Sequence, residues 1–469
     1  MPLIPERRQT IVEAAAALAS GELTCEALVE TCLSRIDECE AQIRAWVGVD
    51  RDGARRQARE CDAKLARHRS EGSVEPLSPL LGIPVGIKDI IDIAGLPTGA
   101  GSAARMADPP AERDATVVRK LREAGAIILG KTVTTQFACF DPPPTRNPWN
   151  LDRTPGGSSS GSAAAVAAGM CLGAIGSQTG GSIIRPASFC GVAGCKPTFG
   201  RVSCDGFVPV APSLDTAGPI AGCVADLAIM LNAISEGDKV GPGGDPTLKL
   251  FIDLADLNFE KIKPPRLAML TSRLDDRPEL YERLSDPSMW SALTRALDHF
   301  RSAGASVVER RGLFASDPHR AMMTFELADW HRDRFRKLRF DYGPSVAGLV
   351  QEGILITAAQ YEAARREQVE ATAESEALMQ DIDALVCPAA TGPAPGPSTT
   401  GDPFFNSPWT FTGQPTITFP MELSDYGLPL GIQLIGRRND EAGLFRAAAW
   451  CETVLPGLAS SHPSKEPAG

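Results

Sequence analysis

Residues 154–187 read TPGGSSSGSAAAVAAGMCLGAIGSQTGGSIIRPA and combine six serines with eight glycines and almost no large side chains. Glycine lacks a Cβ and accepts positive φ, so the Gly-Gly pairs at 156–157 and 180–181 allow sharp turns with converging backbone N–H groups. Such convergence is what an oxyanion hole requires. The run of alanine and valine at 163–168 predicts a tightly packed helix after the first pair, which a flexible Gly/Ser linker would lack.

The composition is typical of a protein that acts on small molecules. The 469 residues carry a net charge of −11, and 43% of them are hydrophobic, which permits a large core. This length suits one large α/β domain with insertions. The negative charge repels phosphates, so we expect neither nucleic acid nor an anionic membrane as a partner. We expect a small-molecule substrate and leave a homodimer open.

Cysteine usage and the start of the chain predict a cytoplasmic protein. Twelve cysteines are sparse for this length, and no C-x-x-C pair is present to anchor zinc or a redox site. The first ten residues carry charge where a signal peptide needs an apolar run, and no apolar stretch reaches 18 residues. The five histidines form no metal-binding pattern, so we expect no metal and no other cofactor, and much of the activity should survive their substitution.

Hydrophobic periodicity predicts alternating helices and strands. Residues 10–69 have the pattern of three helices, with Thr24 as an N-cap. Residues 81–95 form a β-rich region between glycine and proline. A helix capped by Asp114 precedes a buried strand at 126–129. The alternation favours an α/β sheet covered by helices on both faces.

Six blocks of sequence carry a family resemblance. They are GIPVGIKD (82–89), AGAIILGKT (124–132), GGSSSGSAAAVAAG (156–169), TGGS (179–182), PASFCGVAGCKPT (186–198) and LPLGIQLIG (428–436). Together they resemble the amidase signature family, serine hydrolases of amide bonds that use a Ser–Ser–Lys triad. The resemblance implies an α/β fold with a single large mixed β-sheet, an N-terminal helical layer and a variable helical cap. It implies hydrolysis through an acyl-enzyme.

The same resemblance divides the chain into five parts of one domain. We expect an N-terminal helical layer at 1–70, the catalytic core at 71–236, a variable helical insertion at 237–387, the C-terminal part of the core at 388–459 and a tail at 460–469. The insertion matches the family weakly. By resemblance it covers the substrate pocket.

Lys88 is the candidate general base. It lies in an apolar run, LGIPVGIKDIID, where an ammonium group is poorly hydrated. Desolvation lowers the pKa of a lysine from its reference of about 10.4, by several units when the group is buried. The alternative is a salt bridge to Asp89 or Asp92, and the match to GIPVGIKD favours the base.

Ser182 is the candidate nucleophile, because it follows two glycines and accepts an exposed position. The N–H groups of the oxyanion loop, Thr179, Gly180, Gly181 and Ser182, would stabilise a tetrahedral oxyanion. A serine that caps a helix is the alternative. By resemblance, Ser158 relays the proton from Ser182 to Lys88 and follows a cis peptide bond. Its neighbours Ser159 and Ser160 carry the same side chain, so this assignment depends on the family.

Two other motifs compete with this assignment. Residues 157–161, GSSSG, satisfy G-x-S-x-G with Ser159 at the centre and His299, His319 and His331 downstream, the arrangement of an α/β-hydrolase triad. An elbow must follow a strand, and the preceding residues are turn-like. Residues 125–132 satisfy the Walker A pattern, but their apolar middle predicts a buried strand, with Lys131 structural.

The substrate is less determined than the reaction. Many members have D-x-G-G-S-x-R, whereas this chain has Gln178 in place of the Asp, Ile184 in place of the Arg, and Arg185 one position later. We therefore expect a neutral amide, aryl amide, carbamate (urethane) or ester. Ala138 is the expected substrate contact, with core packing as the alternative. A glutaminase subunit of a tRNA-dependent amidotransferase is the second hypothesis, and a non-catalytic scaffold is the third.

Overall fold

The apolar runs assemble into one eleven-stranded mixed β-sheet in the computed structural model, which describes residues 2–72, 76–235, 252–272, 282, 284–312 and 316–458. The strands are β1 (Trp46–Val49), β2 (Pro84–Lys88), β3 (Ile127–Thr132), β4 (Gly173–Gln178), β5 (Ala193–Lys196), β6 (Thr216–Ala221), β7 (Arg266–Ser272), β8 (Ser306–Gly312), β9 (Ala384–Pro388), β10 (Thr416–Leu423) and β11 (Pro429–Ile435). Their order is β1-β3-β2-β4-β6-β5-β10-β11-β9-β7-β8. Parallel pairs, β3–β2–β4 and β9–β7–β8, flank an antiparallel centre.

Helices cover the sheet, and the predicted α/β class is confirmed. The α-helices of the described residues are α1 (Ile11–Ser20), α2 (Cys25–Ile43), α3 (Arg51–Ser70), α4 (Thr116–Glu123), α5 (Ser160–Ala167), α6 (Ile184–Cys190), α7 (Val224–Ile234), α8 (Pro287–Ser302), α9 (Ser316–Lys337), α10 (Pro344–Leu355), α11 (Ala358–Leu378), α12 (Ser407–Phe411) and α13 (Glu441–Val454). Short 3₁₀ helices occupy Arg105–Ala107, Gln136–Ala138, Leu254–Leu257, Phe259–Lys261 and Arg339–Asp341. Within the described ranges, no helix combines the length and apolar character that crossing a bilayer requires.

Local capping explains where helices begin. The Thr24 hydroxyl accepts a hydrogen bond from Ala27 N at 3.1 Å and starts α2, as the sequence predicts. The predicted cap at Asp114 is wrong. That carboxylate accepts a hydrogen bond from Ala94 N at 2.8 Å, and α4 begins without a side-chain cap. A tertiary contact therefore uses the side chain that the local pattern assigned to the helix.

Two parts that we expected to be helical contribute strands to the sheet. The N-terminal layer contains β1, which pairs with β3 at one edge. The insertion at 237–387 supplies β7, β8 and β9, which form the other side of the sheet. β1 has only four residues, and the strands of the insertion lie between long helical patterns, so the helical period hides them. The expected tail at 460–469 lies outside the described residues.

The parallel pair β2 and β4 positions the candidate site. Ile87 is the register partner of Ile175, so the two strands end side by side. The carboxyl ends of neighbouring parallel strands meet at one edge of a sheet. Lys88 ends β2, and the oxyanion loop follows β4 directly. The topology thus brings Lys88 close to the oxyanion loop.

Candidate active site

Lys88 is fully enclosed at the end of β2. Its Nζ lies 2.7 Å from Ser158 Oγ and 2.8 Å from Ser177 Oγ, and none of its surface is exposed. Burial lowers the pKa of Lys88 well below its ordinary value, although the negative charge of Asp215 opposes the shift. Desolvation therefore favours the neutral amine, which can accept a proton from a neighbouring hydroxyl.

Ser158 is held on a tightly constrained turn. The peptide bond between Gly157 and Ser158 is cis. Thr135 N donates to the Ser158 carbonyl at 3.3 Å, and Arg185 Nη2 donates to the Gly157 carbonyl at 2.8 Å. Both carbonyls of this turn therefore accept hydrogen bonds. The Ser158 hydroxyl oxygen lies 2.7 Å from Lys88 Nζ.

The loop after β4 presents Ser182 and its backbone N–H groups to a cavity. Ser182 is 9% exposed and lines this cavity. Among the described residues, no acceptor binds the N–H groups of Gly180, Gly181 or Ser182. No hydrogen bond joins the Ser158 and Ser182 hydroxyls in the described structure. Catalytic hydrogen bonds of this kind often tighten only when substrate is bound.

Gln178 stabilises the turn that carries Ser182. Its Oε1 accepts hydrogen bonds from Ile183 N at 2.8 Å and Ile184 N at 3.0 Å. These are N–H groups of the first turn of α6, which have no partner within the helix. Gln178 Nε2 donates to Thr410 Oγ1 at 3.2 Å. The glutamine that replaces the family's aspartate therefore caps the short helix after Ser182.

Arg185 lines the same cavity. The neutral-substrate prediction assumed that an arginine one position later in the sequence no longer lies at the site, and this assumption is wrong. Its Nε donates to the Thr400 carbonyl at 2.7 Å and its Nη2 to the Gly157 carbonyl. Its Nη1 is buried and has no hydrogen-bond partner in the described part of the chain. Burial lowers the pKa of Arg185 to about 10, so the group stays charged at neutral pH. Although the arginine lies one position later than in the family pattern, its guanidinium still lies at the site.

The cavity beside Ser182 has a volume of about 150 Å³. Residues 138–140 and the oxyanion loop form two of its sides, and α9 of the insertion contributes His319 and Met323. Ala138 has a positive φ of 54° and lies at this cavity, as expected for a substrate contact. An open cleft of about 840 Å³ shares Pro403 with this cavity and is lined by none of the predicted site residues. The insertion therefore forms part of the cavity wall.

The structure contradicts both competing motifs. The Ser159 hydroxyl is buried, and its Oγ lies 3.3 Å from both the N and the O of Ser177. No strand precedes it, so the nucleophile-elbow hypothesis is wrong. Lys131 lies within β3, and its Nζ is 3.2 Å from Asp89 Oδ1. A phosphate loop exposes its amides after a strand, whereas this segment is the strand itself.

Sequence reasoning missed several residues around the oxyanion loop. His319 Nε2 donates to the Thr179 carbonyl at 2.7 Å, and the Thr179 hydroxyl bonds Asp215. Burial raises the pKa of Asp215 to about 6. The sequence suggested His319 only as a candidate partner of Ser159. Ser177, a polar residue in the fully buried strand β4, was also missed as a partner of Lys88, although a serine in a buried strand is a signal that the sequence offers. In the described ranges, no group of three potential metal ligands is present.

The α/β sheet agrees with a comparison of most of the chain with known proteins. A family model described as Amidase matches residues 27–445. This chain belongs to the amidase signature family. As a member, it is an amidohydrolase that acts on C–N amide bonds.

Named relatives within the amidase signature family differ in what they act on. The chain is 35% identical to a subunit of the glutamyl-tRNA(Gln) amidotransferase of Chloroflexus aggregans, over 93% of this chain and 94% of that protein. It is 30% identical to the native peptide amidase of Stenotrophomonas maltophilia, with a TM-score of 0.82 over 98% and 99% of the two chains. A protein from a vestigial complex related to an s-triazine catabolic enzyme gives 30% identity and a TM-score of 0.85, over 96% and 100%.

Proposed function

We propose that this chain is a serine amidohydrolase in which Ser182 is the nucleophile, Ser158 relays the proton and Lys88 is the base. The observation that carries the proposal is the 2.7 Å separation of Lys88 Nζ and Ser158 Oγ in a buried site. Neutral Lys88 accepts the Ser158 proton while Ser158 takes the proton of Ser182.

The proposed reaction proceeds through an acyl-enzyme. Ser182 Oγ forms a bond to the carbonyl carbon, and the C=O electron pair moves to the oxygen. The N–H groups of Thr179, Gly180, Gly181 and Ser182 stabilise this oxyanion, and the loss of one such donor typically costs about 3–4 kcal/mol. The C–N bond then breaks, and the proton on Lys88 passes through Ser158 to the leaving nitrogen. Water attacks the acyl-enzyme by the same route and releases the acid.

The substrate is proposed to be a small amide, aryl amide, carbamate or ester that contacts Ala138. A cavity of about 150 Å³ limits the group beside Ser182 to a small acyl or aryl unit. The preference for a neutral substrate stays a prediction from the sequence, and Arg185 is the structural feature that opposes it. The positive charge of its buried guanidinium, which lines the cavity, would favour a substrate carboxylate.

The experiment that tests the proposal is a hydrolysis screen of the purified full chain. Matched anilides, primary amides, carbamates and esters are compared, with and without a carboxylate near the scissile bond. Ser182→Ala is the control for each hydrolysed compound. Hydrolysis that requires Ser182 supports the proposal. Hydrolysis that survives in the Ser182→Ala protein overturns it.

A glutaminase subunit of a tRNA-dependent amidotransferase is the second candidate. It is favoured by the 35% identity to a subunit of such an enzyme over nearly the whole chain. This function requires partner subunits and tRNA, which the net charge of −11 disfavours for direct contact. Co-purification with other subunits and glutamine hydrolysis in that assembly would support it. Hydrolysis of unrelated amides by the isolated chain would favour the first candidate.

A cytoplasmic location of the protein stays a prediction.

A further inference from the structure

The direction of the N–H groups in the oxyanion loop depends on where the preceding carbonyls are held. A trans peptide is planar, and its C=O and the next N–H point in opposite directions. In the described residues the only cis bond precedes Ser158, so the peptides between Thr179 and Ser182 are trans. A group that binds a carbonyl on one side of this loop therefore aims the next N–H toward the other side.

Each peptide of the loop is held in this way by a different part of the chain. The Thr179 carbonyl accepts from His319 Nε2 at 2.7 Å, and the Gly180 carbonyl accepts from Thr410 Oγ1 at 2.8 Å. The Gly181 carbonyl accepts from Arg185 N at 3.0 Å in the first turn of α6. The N–H groups that follow these carbonyls belong to Gly180, Gly181 and Ser182, which have no acceptor among the described residues.

His319 is the donor that the insertion contributes. It lies in α9, is 5% exposed and borders the cavity. A carbonyl can only accept, so Nε2 carries the proton and the tautomer is determined. Burial lowers the pKa of His319, which favours the neutral ring. His319 therefore acts as a fixed hydrogen-bond donor.

Two further connections hold His319 and Thr179 in their positions relative to each other. The Thr179 hydroxyl bonds the Asp215 carboxylate, which also accepts from Val210 N at 2.9 Å and Ala211 N at 3.1 Å. Glu326, two turns after His319 in α9, accepts from Ser213 N at 3.0 Å. The loop at 210–215 is thereby joined both to Thr179 and to the helix that carries His319.

We propose that His319 is a positioning residue of the oxyanion hole, which aims the Gly180 N–H at the substrate oxygen by holding the Thr179 carbonyl. This inference rests on the proposed function and adds to it a residue from the insertion. It also changes the expectation that much of the activity survives substitution of all five histidines. The effect should appear in the transition state, where the negative charge on oxygen develops, and not in binding of the planar amide.

The test compares His319→Ala and His319→Gln with the wild-type chain. Each is assayed with the amide that the wild-type chain hydrolyses fastest, and with an ethyl fluorophosphonate that forms a tetrahedral adduct on serine. We expect His319→Ala to lower kcat and the labelling rate by about tenfold to 100-fold with KM little changed. Glutamine offers an amide N–H to the same carbonyl, so His319→Gln should recover most of both rates.

His331→Gln is the matched control. His331 is a buried histidine of the same helix, but its Nδ1 bonds Tyr342 Oη at 2.7 Å and not the loop. Its substitution should leave kcat, the labelling rate and KM as in the wild type. Circular dichroism of each variant confirms folding.

Three outcomes would overturn the inference. A folded His319→Ala chain with wild-type kcat and labelling excludes a positioning role. A change confined to KM would make His319 a substrate contact, and a glutamine variant as slow as the alanine variant would remove the hydrogen-bond explanation. Failure of the proposed function is a separate result, because it would appear as labelling or hydrolysis that persists in Ser182→Ala.

Discussion

Lys131 and Asp89 form a buried ion pair next to Lys88, with Lys131 Nζ 3.2 Å from Asp89 Oδ1. The sequence left open whether Lys88 itself pairs with Asp89. Because Lys131 binds that carboxylate, desolvation dominates the environment of Lys88, and its pKa is lowered. Asp89, the acidic residue next to Lys88 in the sequence, is therefore paired with Lys131.

Removing Lys131 should destabilise the fold more than removing the whole pair. Lys131→Met leaves Asp89 buried without its partner, at a cost of about 3–5 kcal/mol in the free energy of unfolding. The double variant Lys131→Met/Asp89→Asn should be closer to wild type. Urea unfolding of the two single variants and the double variant measures the coupling. Strictly additive effects would show that the two side chains do not interact.

Lys88→Ala should reduce amide hydrolysis by about 100-fold to 10,000-fold in a folded chain. Without Lys88, the proton that Ser158 receives from Ser182 has no final acceptor. Ester hydrolysis should fall less, since an alkoxide leaving group needs less protonation than an amine. Turnover of a matched amide and ester by the same preparation measures the difference. Equal losses on both bonds would count against a base role.

Lys88 should also make stability depend on pH. Its pKa is lowered in the folded chain, so above that value and below about 10.4 the unfolded chain binds more protons. The wild-type free energy of unfolding should therefore rise with pH across this window. Lys88→Met removes this dependence, so its stability relative to wild type should decrease from pH 7 to pH 10. A constant difference, measured by urea unfolding, would mean that the folded chain keeps Lys88 charged.

Ser182 and Ser158 should respond differently to a fluorophosphonate. Ser182→Ala should abolish covalent labelling, because only Ser182 Oγ forms the bond to phosphorus. Ser158→Ala should slow labelling without preventing it, since Ser158 only transfers the proton. Mass spectrometry of the digested protein locates the adduct. An adduct on Ser158 or Ser159 would contradict the assignment of the nucleophile.

Arg185→Gln should affect a carboxylate-bearing amide more than its neutral counterpart. The variant removes the buried positive charge, while an amide can still donate to the Thr400 or Gly157 carbonyl. We expect kcat/KM for the acidic substrate to fall at least about tenfold further than for the neutral one. The pair of substrates should differ only in that carboxylate. Equal effects on both would show that Arg185 serves the turn at Gly157 and not substrate recognition.

The local sequence predicted part of the secondary structure and the candidate triad. The cap at Thr24 and the buried runs at β2 and β3 depend on neighbours within a few residues, so they can be predicted from periodicity and side-chain chemistry. Lys88, Ser158 and Ser182 were predicted from such blocks and from the family that the blocks resemble.

Only the tertiary structure decided which distant groups meet at the site. His319 reaches Thr179 across 140 positions, and Arg185 bonds the Thr400 carbonyl across 215. No periodicity encodes these contacts, because they depend on how α9 and the loop at 400 pack against the sheet. Burial, which shifts the pKa of Lys88 and leaves Arg185 Nη1 without a partner, is likewise a property of the packed chain. The sequence predicted the candidate reacting groups, and packing decided their burial and orientation.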